Sequence, residues 1–436
     1  MKRVRMFCIL VGSVLAAFLV PLAARAWLAS PRPVEAPLKA IVTWPADTQV
    51  ISQNVYTDSM HFYPALAVVS PTVCVAWSRQ MGDNQEYYDP YYRESSQNGE
   101  AGQWGGQVDI QPGLSTKETT RVDVAVDDNF RSHFVWSEYT KTPSYTLYYS
   151  YTNASAIQDI TAVDDELLSP AIAVSDGDNR VHAVWSEGTH SIKYIRRTIG
   201  STGPWTSTDI TSSTSMAIQP DIAVTGAGTA HVVWSEGDIK KGADIFYANS
   251  NNWSTIHKVY DGTGMVDGRS PAIAVSGDNV YVVWTEWVDM DEQYIRFRQS
   301  TDGGSNWGGS VRISGRFAAN ADSPSFLRPA IALDSNEKIH VAFNGAGATG
   351  APEDIYYASK TQIGSWQCCS NLTWNIDGNN TTPDIAASGE DVHLVWAAPP
   401  LPPPFDPDEN EYEVWYKRTV TLGGGGLYLP IILKSY

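Results

Sequence analysis

The chain has 436 residues, a formal net charge of −18, 43% hydrophobic but only 18% charged residues, and 16 Trp with 22 Tyr. That much apolar material excludes bulk disorder, and the acid excess excludes the clustered basic surface that nucleic acid requires. What remains is an acidic, aromatic-rich protein in which β-structure is favoured over helical bundles.

Lys2, Arg3 and Arg5 precede an apolar run from Met6 to Ala24, and Ala24-Arg25-Ala26 offers a small-x-small cleavage site. Residues 1–26 read as a secretory signal peptide, with an uncleaved anchor helix as the alternative. The protein is therefore expected to be secreted or displayed at the cell surface. Losing that segment takes the net charge from −18 to −22, because it carries four cations and no acid. Residues 27–44, with Pro31, Pro33 and Pro37, read as a semi-rigid stalk.

A unit then recurs. Pro170-Ala171-Ile172-Ala173-Val174, a polar turn, and Val181-His182-Ala183-Val184-Trp185-Ser186-Glu187 return from Pro220, Pro271, Pro329 and Pro383, with looser copies from Pro64 and Val122. The anchor aromatics are Trp77, Trp136, Trp185, Trp234, Trp284, Phe343 and Trp396, 49 to 59 residues apart. Each copy reads as four short strands without helical periodicity. Such units predict an all-β fold, a seven-bladed β-propeller of four-stranded antiparallel blades over residues 45–421. The last copy lacks a fourth strand, and residues 49–56 look like an orphan one, so the ring is expected to be closed by this N-terminal strand. Residues 422–436, four glycines and an apolar run, form a linker and tail, an extra strand or a docking tag.

After Cys8 leaves with the signal, Cys74, Cys368 and Cys369 remain, which is no disulfide framework. The adjacent pair is expected as two thiols rather than a vicinal disulfide. Five histidines (His133, His182, His231, His340 and His393) share one column, three before the anchor. Neighbouring blades separate them by roughly 10 Å, too far for one zinc ion, so they read as structural and no metal is expected.

Ser300-Thr301-Asp302-Gly303-Gly304-Ser305-Asn306-Trp307 matches the Asp-box SxDxGxxW, between the third and fourth strands. In this the chain resembles the Asp-box (BNR-repeat) propellers of the sialidase-like superfamily, with degenerate copies ending at Trp205, Trp253 and Trp366. The resemblance implies carbohydrate-related work. The family's early Arg-Ile-Pro has no match, since that place reads Phe62-Tyr63-Pro64, and its six blades compare with seven here.

Glu138, Glu187, Glu236 and Glu286 follow the anchor at the end of the second strand. They are candidate acid and base residues for glycoside hydrolysis, or else blade-building residues. Departures from the repeat on the same face supply binding candidates: Arg79, Asn344, Tyr63, Arg121 and Arg328, with Arg269 nearby. The arginines either clamp a carboxylate or sulfate or neutralise the glutamates. Tyr87 and Tyr88, in a Tyr-rich loop, and the Pro-rich stretch 399–411 offer walls for a sugar or peptide. Asp289, Asp291 and Glu292 are candidates for calcium; otherwise no cofactor is expected. The reading is a monomeric propeller that binds a glycan or an extracellular protein through its top face. The alternative is an exo-acting glycoside hydrolase of sialidase-like type.

Overall fold

The computed structural model describes residues 42–421 except 44–47, 53–60, 81–87, 113–117, 141–143, 164–166, 239–241, 290–291, 319–326 and 400–411, with shorter gaps at 155, 202, 265, 349–350, 375 and 377. The signal segment 1–26, nearly all of the stalk, the tail 422–436, Tyr87 and Asp291 lie outside the described residues. Among the described residues every element is a strand.

Seven four-stranded antiparallel blades follow one another around a ring, so the fold is a seven-bladed β-propeller. Blade 3 is typical, with strands Leu167–Ser175, Arg180–Glu187, Ser191–Thr198 and Thr208–Ser212 paired in that order. The second strand is buried along nearly its whole length because blades cover both of its faces. That is why its sequence is continuously apolar rather than alternating.

The core lies between blades. Seven apolar clusters occupy the seven seams, each joining two neighbouring blades; one combines Leu147 and Tyr149 of blade 2 with Ile172 and Trp185 of blade 3. All seven anchor aromatics are fully buried in these seams. Truncating one to Ala costs about 3–5 kcal/mol in a core of this kind.

A second aromatic system ties the blades together near the turns between third and fourth strands. Trp104, Trp205, Trp253, Trp307 and Trp366 each pack on an aromatic of the preceding blade: Tyr416, Tyr149, Tyr194, Tyr247 and Phe297, at 4.7–5.4 Å between centroids. The column histidines join this system. His133, His182, His231, His340 and His393 are buried, and each Nδ1 lies 2.7–2.8 Å from a tyrosine hydroxyl on the third strand of its own blade.

Closure occurs in blade 7. Gln49–Val50 pairs with Glu413–Arg418 as the outermost strand, and the Ile51 amide donates to the Val414 carbonyl at 2.8 Å. Val42–Thr43, inside the segment read as stalk, also pairs with Val420–Thr421.

Two local expectations are corrected. Tyr88-Asp89-Pro90-Tyr91-Tyr92 is no loop but the start of the third strand of blade 1, Tyr88–Ser95, with Tyr91 buried in the seam with blade 7. Cys368 and Cys369 are joined as a vicinal disulfide on the outer strand Gln367–Asn371 of blade 6, not left as two thiols.

Candidate functional site at the mouth of the central channel

The seven first strands run side by side around the ring axis and enclose a cavity of about 280 Å³ at their starting ends. Each blade contributes the residue before the strand-one proline, whose place Val122 takes in blade 2, and the three or so that follow. A bulge in the pairing of first and second strands occurs here in six blades, while the described pairing of blade 6 begins only at Ala330. Bulges re-aim side chains, which is how the rim residues turn toward the axis. At the rim Tyr63, Ser169, Gln219, Ser270 and Thr382 hold left-handed backbones, with φ between 46° and 56°. Strain repeated this often at one place is held by the surrounding blades.

The two rim positions outside that left-handed set are the arginines, Arg121 and Arg328. Both line the cavity, and neither forms a salt bridge among the described residues. The Arg328 guanidinium sits 5.3 Å from the centre of the Tyr63 ring. Burial and the nearby Arg121 charge push its proton affinity down, while Tyr63 and Glu353 offset part of that. Its backbone amide donates to Asn344 Oδ1 at 2.8 Å, and Asn344 Nδ2 donates to Glu353 Oε2 at 2.8 Å. Asn344 and Glu353 are both buried, so this chain fixes where Arg328 stands.

Below the rim, one column carries Asp123, Asp221 and Asp384 where the other four blades have alanine: Ala65, Ala171, Ala272 and Ala330. Each aspartate reaches across a seam to the innermost strand of the next blade. Asp123 accepts from the Ile172 amide (2.8 Å), Asp221 from Ile273 (2.8 Å) and Asp384 from Leu66 (2.7 Å). Each also accepts from the amide that follows it: Val124, Ile222 and Ile385. Burial raises all three carboxyls, and their mutual repulsion pushes Asp221 and Asp384 further, both to about 7. The channel therefore does not carry three full negative charges at neutral pH, and the two arginines set the sign of its mouth.

Of the residues singled out from sequence, the structure brings Tyr63, Arg121, Arg328 and Asn344 together. The other described ones are absent from its lining, and Tyr87 and Asp291 lie outside the described residues. Trp136 and Trp234 donate their indole N–H groups to Glu138 (3.2 Å) and Glu236 (2.8 Å). Glu187 meets Lys193 at 3.4 Å, and Glu286 is held by Arg296, Arg312 and the Tyr260 hydroxyl, which keep its carboxyl below the usual range despite burial. Arg79 is buried against the Tyr91 ring beside Asp89, whose carboxyl burial lifts to about 6. Arg269 is buried in an ion pair with Asp267, over Trp287. Tyr88 begins the third strand of blade 1. Of the candidate calcium residues, Glu292 accepts from the Tyr294 hydroxyl at 2.9 Å, and the Asp289 amide donates to the Glu292 carbonyl at 3.3 Å. No metal-holding group of three acidic, His or Cys side chains occurs among the described residues.

Glu353 and the aspartate column were not singled out from sequence. The aspartates had a signal: an acid in three of seven copies of an otherwise alanine column. Glu353 had a weaker one, since its position three before the anchor's cross-strand partner holds His190, Ala243, Gln293 and Tyr412 in other blades.

Fold and site together define a seven-bladed propeller with an arginine-bearing, largely polar mouth. No family model matches the sequence, and no curated protein matches it. Among solved structures, the chain is similar to a protein of unknown function from Dyadobacter fermentans (9% identity, TM-score 0.50, covering 87% of this chain and 98% of the other). It is also similar to the phage phi92 endosialidase (10%, 0.49, 93% and 73%) and to the Trypanosoma rangeli sialidase (11%, 0.45, 83% and 55%). At these identities the likeness is one of fold.

Proposed function

We propose that the protein is a binding propeller whose channel mouth takes the anionic group of a glycan or of an extracellular protein. The observation that carries this reading is the pair Arg121 and Arg328, turned into a cavity without a salt-bridge partner among the described residues. At about 280 Å³ the cavity falls at the low end of ligand pockets, enough for one sugar ring or one acidic side chain. Export through residues 1–26 would place that ligand outside the cytoplasm. An array of acidic and neutral glycans and acidic peptides tests the reading. Wild type should retain acidic members, and the double variant Arg121→Ala/Arg328→Ala should lose them by about 100-fold, two charge-assisted contacts being removed. Equal retention by the two proteins would refute it.

A second reading has its own support. Asp221 and Asp384 line the cavity with carboxyls near 7, the range a general acid needs at neutral pH. Hydrolysis of a glycoside at this mouth would use those aspartates rather than the four glutamates, which are engaged elsewhere. Turnover of a fluorogenic glycoside panel that disappears in Asp221→Asn would establish it.

A further inference from the structure

The aspartate column serves six backbone amides around the channel. Three belong to the blades that carry the aspartates (Val124, Ile222 and Ile385) and three to the blades that follow them (Leu66, Ile172 and Ile273). With seven blades, one amide of this column is left over, and it is Ile331 of blade 6. The two positions from which a carboxylate would reach it are Ala330 in its own blade and Ala272 in the preceding one. Ile331 pairs with Val341 in the register that Ile172 keeps with Ala183 and Ile273 with Val282, so its N–H faces the channel as theirs do. It lines the cavity three residues from Arg328.

From this we infer that the Ile331 amide, uncapped among the described residues, together with the Arg328 guanidinium that lines the same cavity, is the seat of a ligand carboxylate, which takes the place of a fourth aspartate in the ring. The inference rests on the binding function proposed above and names the group bound and where it sits. The chain itself displays the chemistry three times over: at three junctions a carboxylate oxygen accepts from this same amide at 2.7–2.8 Å. A carboxylate is therefore the group whose size and direction the column already accommodates. Blade 6 also departs from its neighbours in what surrounds the seat. Its described pairing of first and second strands begins only at Ala330, and Arg328 is absent from the left-handed set, its amide being tied to Asn344. A hydrogen bond from a backbone amide to a charged acceptor in such a place contributes enough to change affinity about tenfold.

Glucuronate, a sugar carrying one carboxylate, is the probe, with glucose as the uncharged control and inorganic sulfate as the tetrahedral anion. The full chain, labelled with ¹⁵N-isoleucine, is titrated, the Ile331 amide being assigned by its loss in Ile331→Val. The seat requires that glucuronate shift the Ile331 resonance, that glucose leave it in place, and that the Ile172 and Ile273 amides stay still. Ala272→Asp should supply the missing cap from within, as Asp221 does for the next blade, and weaken glucuronate about tenfold while the melting midpoint is retained. If Arg328→Gln loses glucuronate but the Ile331 resonance never moves and Ala272→Asp binds as wild type, the seat is wrong and the arginine reading stands. If sulfate shifts Ile331 and glucuronate does not, the carboxylate assignment is overturned. Failure of wild type to bind glucuronate overturns the seat, while the array decides the broader reading separately.

Discussion

Asn344 shows how narrowly a single side chain is determined at this mouth. Its oxygen accepts the Arg328 amide and its nitrogen donates to Glu353, with both side chains buried. Asn344→Asp would keep the acceptor but set two buried carboxylates against each other. We expect a loss of about 3 kcal/mol in urea unfolding, and recovery of most of it in Asn344→Asp/Glu353→Gln, because the second change restores a donor. Gly304, in the Ser300–Trp307 turn, is constrained by a neighbouring blade as well as its own. Its φ is +88°, and a Cβ there would lie 2.2 Å from the Tyr247 hydroxyl oxygen. Gly304→Ala should therefore lower stability by about 3 kcal/mol, through strain at the turn and displacement of the tyrosine that holds His231. Asp302 in the same turn is held down to about 2 by hydrogen bonds from Asn306, and it keeps its charge through any ordinary pH.

At the level of strands, the first and second strands of the blades titrate in opposite senses. Burial lowers His182 and His231 to about 4 and His393 to about 3, so between pH 6.5 and 4 the unfolded chain takes up protons that the folded one refuses. Each such group removes about 1.4 kcal/mol of stability per pH unit of acidification. Asp221 and Asp384 act the other way: with folded values near 7, their stabilisation is present at low pH and lost as pH rises from 4 to 7. Asp123 and Asp89 are raised as well, and His133 and His340 lowered, so between pH 6.5 and 4.5 the two sets oppose each other and each is read by removing one of its members. His231→Gln, which keeps a hydrogen-bonding group for Tyr247, should lose about 1.4 kcal/mol less than wild type per pH unit of acidification between pH 6.5 and 4.5, in urea titrations at a series of pH values. The strands also show what could be read from sequence. The second strands were legible because burial on both faces leaves no polar alternation, and the repeat repeats them. The third strand of blade 1 was not, because Pro90 within Tyr88–Ser95 argues against a strand. Its missing N–H is tolerated there, while its carbonyl still accepts from Ile110 at 2.9 Å. The arginines of the rim were found because they break a repeat. The aspartate column was missed because its partners are backbone amides of the next blade, which no side-chain pattern displays.

For the ring as a whole, closure rests on short strand pairs brought from the start of the chain. Removing residues 42–52 would strip the outer edge of Glu413–Arg418 and expose the site of Ile51, which is fully buried. We expect the thermal midpoint to fall by about 5 °C or more, and the freed edge to promote association, visible by light scattering. An unchanged midpoint would mean that the seams alone hold the ring. The pairing of Val42 with Thr421 and of Thr43 with Val420 has a mechanical consequence as well. Because that pairing is antiparallel, the two ends of the described fold leave it side by side. Tension between them therefore loads one hydrogen bond at a time, as a zipper is opened, rather than shearing several together. A propeller tethered through both ends would open first at blade 7, while a pull applied across any other pair of blades would meet a seam of buried aromatics.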